Sequence, residues 1–491
     1  MGDAIILAID QGTTGTTVLA IDDKLSVVSK GYQEFEQVFP KPGWVEHRGN
    51  DIWASVEHAT KACLNDGNIA QSRIKGIGIT NQRETTCLFD DKGEPLANFI
   101  VWQCRRTADI CTALKDAGHE DTFKQKTGLV LDPYFSGTKL KWILDDNADL
   151  KAKAEAGDAK FGTIDSWLLM KLTGGAEHKT DVTNASRTLL MNLQTCAWDD
   201  QLIDILGVPK ACLPTICSSS EVYGTTSGLG FLDDGIPVAG IAGDQQAALF
   251  GQGCFTPGEA KCTYGTGCFL LFNTGKEIVH SQHGLLTTVA VQLGDEVHYA
   301  LEGAAFIGGA AVQWVRDMLH FFDESPKIEE LAETVDDSGD VVFVPALAGL
   351  GAPHWRPDAR GLLAGFSRDT QKGHIARAVL EGIALQNRDI LDAMTKDAGE
   401  MASLKVDGGA SANNLLMQYQ ADVLNTVCVR PQVIETTALG AAALAGLAVG
   451  VFASKDDVLQ AWQEDRRFTP AMDDATRNRH LQKWARAVER A

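Results

Sequence analysis

A short segment near the start limits the fold more than any other. Ala4 to Ile9 is an apolar run, Gly12 to Gly15 is turn-forming, and Thr16 to Ile21 is again β-branched and apolar. The pattern predicts strand, tight turn, strand: a β-hairpin, not a strand feeding a helix. The turn Asp10-Gln11-Gly12-Thr13-Thr14-Gly15-Thr16-Thr17 has the chemistry of a phosphate cradle. Its glycines expose backbone amides, its hydroxyls donate, and its carboxylate is able to hold Mg²⁺. No Gly-x-x-x-x-Gly-Lys-Ser/Thr occurs in the chain, which excludes the usual P-loop. Taken alone, the hairpin reads equally well as an ordinary β-turn.

The second half opens the same way, with a strand over Glu259 to Thr263, the turn Tyr264-Gly265-Thr266-Gly267, and a strand over Cys268 to Phe272. At 491 residues the chain exceeds what one core organises. The weak repeat therefore predicts a duplicated α/β domain with a nucleotide between the copies, changing over at Gly251 to Gly258. Between the hairpins, Asn50 or Asp51 is placed to cap a helix in which Ile52, Val56, Ala59 and Cys63 share a face. A buried strand from Ile74 to Thr80 leads to Asn81-Gln82-Arg83-Glu84. Later, Leu404 to Val406 reads as a strand, Asp407-Gly408-Gly409 as a turn, and Ser411 as the cap of a helix through Leu424.

A net charge of −21 repels phosphate backbones at long range, so nucleic acid is not an expected partner. A nucleotide still binds where backbone amides, local cations and Mg²⁺ set the potential. The eleven cysteines have no Cys-x-x-Cys spacing and read as reduced thiols of a cytoplasmic protein, with Cys104, Cys262 and Cys268 as packing residues. The start, with Asp3, Ile6 and Asp10, lacks the features of a signal peptide or a myristoylation site. Thr436 to Ser454 is uncharged and contains Gly446-x-x-x-Gly450, but its Ala, Gly and Thr content predicts a buried, closely packed helix rather than a membrane span.

Three Gly-rich turns in this order, at 12 to 15, 264 to 267 and 407 to 409, resemble the actin, Hsp70 and sugar-kinase superfamily. The resemblance implies that the first two turns clamp phosphates from opposite domains and that the third lies beside adenosine. It narrows at Pro40-Lys41-Pro42-Gly43-Trp44-Val45-Glu46-His47, Asn81-Gln82-Arg83-Glu84-Thr85-Thr86 and Val101-Trp102-Gln103-Cys104-Arg105-Arg106. Asp132 to Lys139, Thr183 to Arg187, Gly243 to Ala248 and Asp407 to Ala410 add to it. Together these motifs resemble the glycerol kinases of the FGGY carbohydrate kinase family over nearly the whole chain.

The family implies two duplicated actin/Hsp70-like (ribonuclease H-like) α/β domains facing a cleft. Residues 1–250 would carry the polyol site and first phosphate turn, and 251–491 the nucleotide side. ATP with Mg²⁺ would phosphorylate glycerol, with Asp244 as the base. Arg83, Glu84, Tyr134, Asp244 and Gln245 would bond the hydroxyls, and Trp102 and Phe269 would cover the carbon face. The nucleotide would meet Thr13, Thr14, Gly15 and Thr17 on one side and Thr266, Gly309, Gln313, Gly409 and Asn413 on the other, with Asp10 serving the metal. Family members commonly form dimers or tetramers, which makes a homo-oligomer the expectation. Two positions depart from the pattern. Thr17 stands where many bacterial members have Arg, and Thr226 to Asp234 lacks the basic residue of a fructose 1,6-bisphosphate loop. Alternatives from the residues alone are a kinase of another small polyol or ketose, or an ATPase module that drives a protein partner and lacks a use for Arg83, Glu84, Trp102, Tyr134 and Asp244 together.

Overall fold

The computed structural model describes residues 4–356 and 358–491; Asp3 and the rest of residues 1–3 lie outside the described residues. In chain order the first sheet takes β1 (Ile5–Gln11), β2 (Gly15–Asp22), β3 (Val27–Glu34), β4 (Ile74–Asn81), β5 (Ser220–Thr225) and β6 (Pro237–Gly243). The second takes β7 (Glu259–Tyr264), β8 (Cys268–Gly275), β9 (Leu286–Leu293), β10 (Glu296–Ala305), β11 (Ser403–Asp407), β12 (Cys428–Pro431) and β13 (Glu464–Phe468). The spatial orders are β5-β6-β4-β1-β2-β3 and β9-β10-β8-β7-β11-β12-β13.

The two sheets repeat one plan. β1 pairs antiparallel with β2 and parallel with β4, as β7 pairs antiparallel with β8 and parallel with β11. β3 and β10 continue the antiparallel side, and β6 and β12 the parallel side. The predicted duplication is therefore present, with each Gly-rich turn closing the hairpin at the centre of its sheet. The strands next to these centres are almost wholly buried, as expected of parallel strands covered on both faces.

Helix α1 (Gly49–Asp66) lies against β2 and β3. It starts earlier than expected. Arg48 holds the N-cap position without a side-chain bond, so Asn50 and Asp51 sit inside the first turn, where Asp51 meets the positive end of the helix dipole. α2 (Asp244–Gly251) follows β6 directly. α3 (Gly309–Asp317) follows β10, and α4 (Lys372–Ala398) runs along the second sheet. α5 (Asn414–Leu424) also departs from expectation. Asn413 Oδ1 accepts from Leu416 N at 2.8 Å and is the cap, whereas Ser411 donates to Gly408 O.

The uncharged stretch forms α6 (Thr436–Ala448), and no helix among the described residues is long and apolar enough to cross a membrane. Although α6 comes late in the chain, it packs on α2 and on β4, β6 and β1 of the first sheet. Its small residues make that possible. A Cβ on Gly440 would lie 1.8 Å from Ala247 O, and Cβ atoms on Gly78, Gly240 and Gly251 would lie 2.1–2.3 Å from the backbone of Thr436, Ala441 and Ala445. Backbone meets backbone on several sides of α6, so no side chain larger than hydrogen fits at these glycines. Gly440→Ala is expected to lower the apparent melting temperature by several degrees, because overpacking such a site costs roughly 1–3 kcal/mol or more. An unchanged melting curve by circular dichroism would refute this account of α6.

Candidate active site

The polar groups gather where parallel strands of the first sheet end. Arg83 and Glu84 follow β4, and Asp244 opens α2 immediately after its neighbour β6. Gly243 is needed at that junction, since a Cβ there would lie 2.7 Å from the Arg83 side chain. Arg83 Nε reaches Asp244 Oδ1 at 3.0 Å. Asp244 is the first helical residue rather than the cap, and the same Oδ1 accepts from Gln245 N at 2.7 Å.

Beneath them lies a buried four-residue ion network. Arg83 donates to Glu302 through both terminal nitrogens, at 2.5 and 2.9 Å. Arg187 Nη2 shares Glu302 Oε1 at 2.9 Å, and Arg187 Nε donates to Glu84 Oε1 at 2.6 Å. All four side chains are at most 2% exposed. Burial alone would raise the Glu302 carboxyl, but the Arg187 and Arg83 guanidiniums hold it down at about 2. Glu84 moves the other way, raised by burial that its arginine neighbours only partly offset. Glu84 also sits at φ +61°, a left-handed backbone that a side-chain-bearing residue keeps only when its surroundings enforce it. Its carbonyl is held by Ser136 Oγ at 3.0 Å.

Tyr134 closes one side, its hydroxyl 3.5 Å from Arg83 Nη2 and its ring edge-on to Trp102 with centroids 5.6 Å apart. Lys139, wholly buried, fixes that loop by donating to the carbonyls of Tyr134 and Phe135. Trp102 Nε1 donates to Thr13 Oγ1 at 2.9 Å, which joins the predicted carbon-face wall to the first turn. Phe269, half-buried, lies on β8 of the second sheet, and its carbonyl accepts from Lys261 at 3.3 Å. Six of the seven residues predicted for the polyol thus form one connected cluster, and Phe269 joins it only through Lys261, which also donates to Gln245.

The first turn is braced from behind. Gln37 Nε2 donates to Thr13 O, which leaves Gln37 Oε1 to accept from His47 Nε2 at 2.7 Å. His47 Nδ1 is then an acceptor for Gln82 Nε2, which also donates to Gln11 Oε1 and Gly12 O. The Pro40-to-His47 motif proves structural in its other members. Trp44 takes the Arg106 guanidinium 3.9 Å from its ring centre, and Arg106 also ion-pairs with Glu46 at 2.6 Å. Thr17, at the position where Arg was expected, lies across from Asp10 on β1 and Tyr32 on β3. The Tyr32 ring covers Gly15.

The remaining residues predicted for the nucleotide lie on the second turn, on α3 and at the third turn. Gly308 N and Ala310 N donate to Thr266 O, and Gly309 N donates to Gly265 O at 2.8 Å. The start of α3 is thereby sewn to the second turn. Gly408, at φ +83°, lets the third turn approach the Tyr264 backbone, and Asp407 accepts from Gln252 and from Thr436 of α6. Gly409 is open, Gln313 is exposed on α3, and Asn413 keeps only its amide nitrogen free of the cap. No hydrogen bond joins Thr13, Thr14 or Gly15 to Thr266, Gly309, Gln313, Gly409 or Asn413 among the described residues.

Sequence reasoning assigned no role to Arg187, Glu302 or Lys261. A signal was present for the last two, each a charge with apolar or small neighbours on both sides inside a strand, in Ala260-Lys261-Cys262 and Leu301-Glu302-Gly303. Such a residue is buried only when paired or hydrogen-bonded.

Comparison with known proteins agrees with the two-domain fold. The model of the FGGY family of carbohydrate kinases matches with its N-terminal domain at residues 5–251 and its C-terminal domain at residues 260–449. A glycerol kinase of Myxococcus xanthus is 60% identical over 490 residues, covering 99% of each chain. One of Bdellovibrio bacteriovorus is 54% identical over the same length and coverage. The crystal structure of Plasmodium falciparum glycerol kinase with ADP superposes with a TM-score of 0.91 at 38% identity, covering 99% of this chain and 98% of that one.

Two ionisations bear on the turn and its brace. Burial, then the nearby negative charge of Asp244, pushes the Asp10 carboxyl up to about 7. Burial pushes His47 down to about 4 from 6.5, so the ring is neutral in the folded chain, as its acceptor Nδ1 requires. A folded value below the unfolded one means that the contribution is complete above 6.5 and lost as pH falls toward 4. His178, buried to about the same value, adds to the effect. Between pH 6.5 and 4.5 the two histidines therefore lower stability, with up to about 3 kcal/mol at stake per histidine, whereas the Asp10 carboxyl, raised to about 7, acts in the opposite sense over the same range. His47→Gln should remove the His47 share, so that in thermal scans its melting temperature gains on the parent's as pH falls from 6.5 to 4.5; a difference that does not change with pH would refute the role of His47.

Proposed function

The chain belongs to the FGGY family of carbohydrate kinases, and on that footing we propose that it transfers the γ-phosphoryl group of ATP to glycerol, giving sn-glycerol 3-phosphate and ADP. The glycerol kinases among its relatives support the substrate. The observation that carries the chemistry is the Asp244 carboxylate. With Oδ1 occupied by Arg83 Nε and Gln245 N, Oδ2 is the oxygen available to a substrate hydroxyl. As the hydroxyl oxygen attacks the γ-phosphorus, its proton passes to Oδ2. The bond from the γ-phosphorus to the β–γ bridging oxygen breaks, and ADP leaves.

Arg83, Glu84, Tyr134 and Gln245 are assigned to the other hydroxyls, while Trp102 and Phe269 cover the carbons and keep out water that would divert the phosphoryl group. Thr13, Thr14, Gly15 and Thr17 with Thr266 are assigned to the phosphates, and Gly309, Gln313, Gly409 and Asn413 to the nucleoside side. Asp10 suits a divalent cation, because its carboxyl is destabilised by burial and by Asp244, and a cation relieves both. Mg²⁺ bound there would neutralise phosphate charge. We take residues 1–250 as the polyol side and 251–491 as the nucleotide side of a cytoplasmic enzyme; the eleven free thiols fit a reducing compartment.

A coupled ADP assay should give glycerol the highest kcat/KM among glycerol, dihydroxyacetone, xylulose, ribulose and gluconate. A pentulose or gluconate in first place would overturn the substrate. Asp244→Asn should lower kcat by roughly 10²–10⁴ while glycerol KM changes only a few-fold, since proton acceptance acts in the transition state. Turnover within threefold of the parent would remove Asp244 from the base role.

A further inference from the structure

Lys261 is an unassigned cation next to the residues predicted for the polyol. It lies on β7, is fully buried, and has no carboxylate within ion-pair distance among the described residues. Its three ammonium hydrogens meet Gln245 Oε1, Thr263 Oγ1 at 2.8 Å and Phe269 O at 3.3 Å. Burial lowers its pKa, and Asp407 and Asp244 are among the charges that oppose this. Its position in the sheet accounts for its reach. Lys261 pairs with Leu271 and Leu271 with Glu302, so one row of the second sheet carries both charges. Glu302 crosses to Arg83 and Arg187 of the first half, and Lys261 crosses to Gln245.

An ammonium only donates, so the Gln245 atom facing it must be the carbonyl oxygen. That fixes the amide, which is otherwise free to turn over. The Gln245 Nε2 group has no protein acceptor among the described residues, and its two hydrogens remain for a ligand.

We propose that Lys261 is the positioning residue that holds Gln245 as an obligate hydrogen-bond donor, so that this side of the site selects a substrate with an acceptor oxygen. The proposal rests on Gln245 reading a polyol hydroxyl. An amide locked in this sense rewards a hydroxyl and penalises an analogue with hydrogen in its place, because the donor is then buried without a partner. A side chain free to rotate would discriminate less.

The test compares glycerol with 1,2-propanediol and 1,3-propanediol, each lacking one hydroxyl, by kcat/KM with ATP. The parent column is read first: failure to phosphorylate glycerol sinks the kinase reading, independently of Lys261. In Lys261→Met the preference for glycerol over one of the two diols should fall at least tenfold, with the KM for ATP changed less than threefold. Gln245→Leu should lose the same preference, and the double variant should lose no more than either alone. Equal losses on all three substrates, or additive losses, would make Lys261 merely structural and overturn the proposal. Should Lys261→Met fail to fold, Gln245→Glu decides. A carboxylate facing the ammonium keeps the contact and removes the donor, so the parent melting temperature should be retained and the preference lost. A fall of more than about 5 °C, or an intact preference, would overturn the proposal.

Discussion

The grip of Glu302 on Arg83 and Arg187 is the contact on which the site depends, because it joins the two halves and sets the polyol floor at once. Glu302 comes from the second sheet and both arginines from the first half. Separating them would strand buried charges, a loss of roughly 3–5 kcal/mol when one member of a buried pair is removed. Rearrangement between the halves must therefore pivot about this point rather than pull it open. The same grip orients Arg83, whose Nε is thereby directed at Asp244.

Duplication explains why the floor sits where it does. Each sheet ends its central parallel strands at the cleft, where loops are free to carry chemistry while the strands below are locked by packing. β4 and β6 deliver Arg83 and Asp244; β7 and β11 deliver the second and third turns. α6 then ties the halves from below, with Thr436 bonded to Asp407 of the third turn and its small face pressed on α2, whose first residue is Asp244. The third turn and Asp244 thus share one rigid support.

Local patterns made the hairpins, the Gly-rich turns and the buried small-residue helix legible, since each is decided by residues a few positions apart. The motif around Arg83 and Asp244 was legible by resemblance alone. The network was not, because Arg83 and Glu302 are 219 positions apart and only the sheet register brings them together. Lys261 was hidden for the same reason, its partner Gln245 belonging to α2. The cap of α5 was misplaced because Ser411 and Asn413 are both good caps, and the Gly408–Gly409 bend decides which one meets the helix.

The charge balance of the floor argues for a neutral substrate. Arg83 and Arg187 are each tied to carboxylates, those of Asp244 and Glu302 for Arg83 and of Glu84 and Glu302 for Arg187. A sugar acid would bring a further negative charge into a region whose guanidiniums are already paired, and desolvating it there would be unfavourable. A small polyol brings only hydroxyls, each able to accept from Arg83 or Gln245 and donate to Glu84 or Asp244. The anionic partner is the nucleotide, and it meets a different chemistry. With Thr17 in place of an arginine, the first turn offers backbone amides and hydroxyls, and under the proposed reading a cation at Asp10 would neutralise the phosphates. Under the proposed reading, charged readers would meet the neutral substrate and neutral donors the charged one.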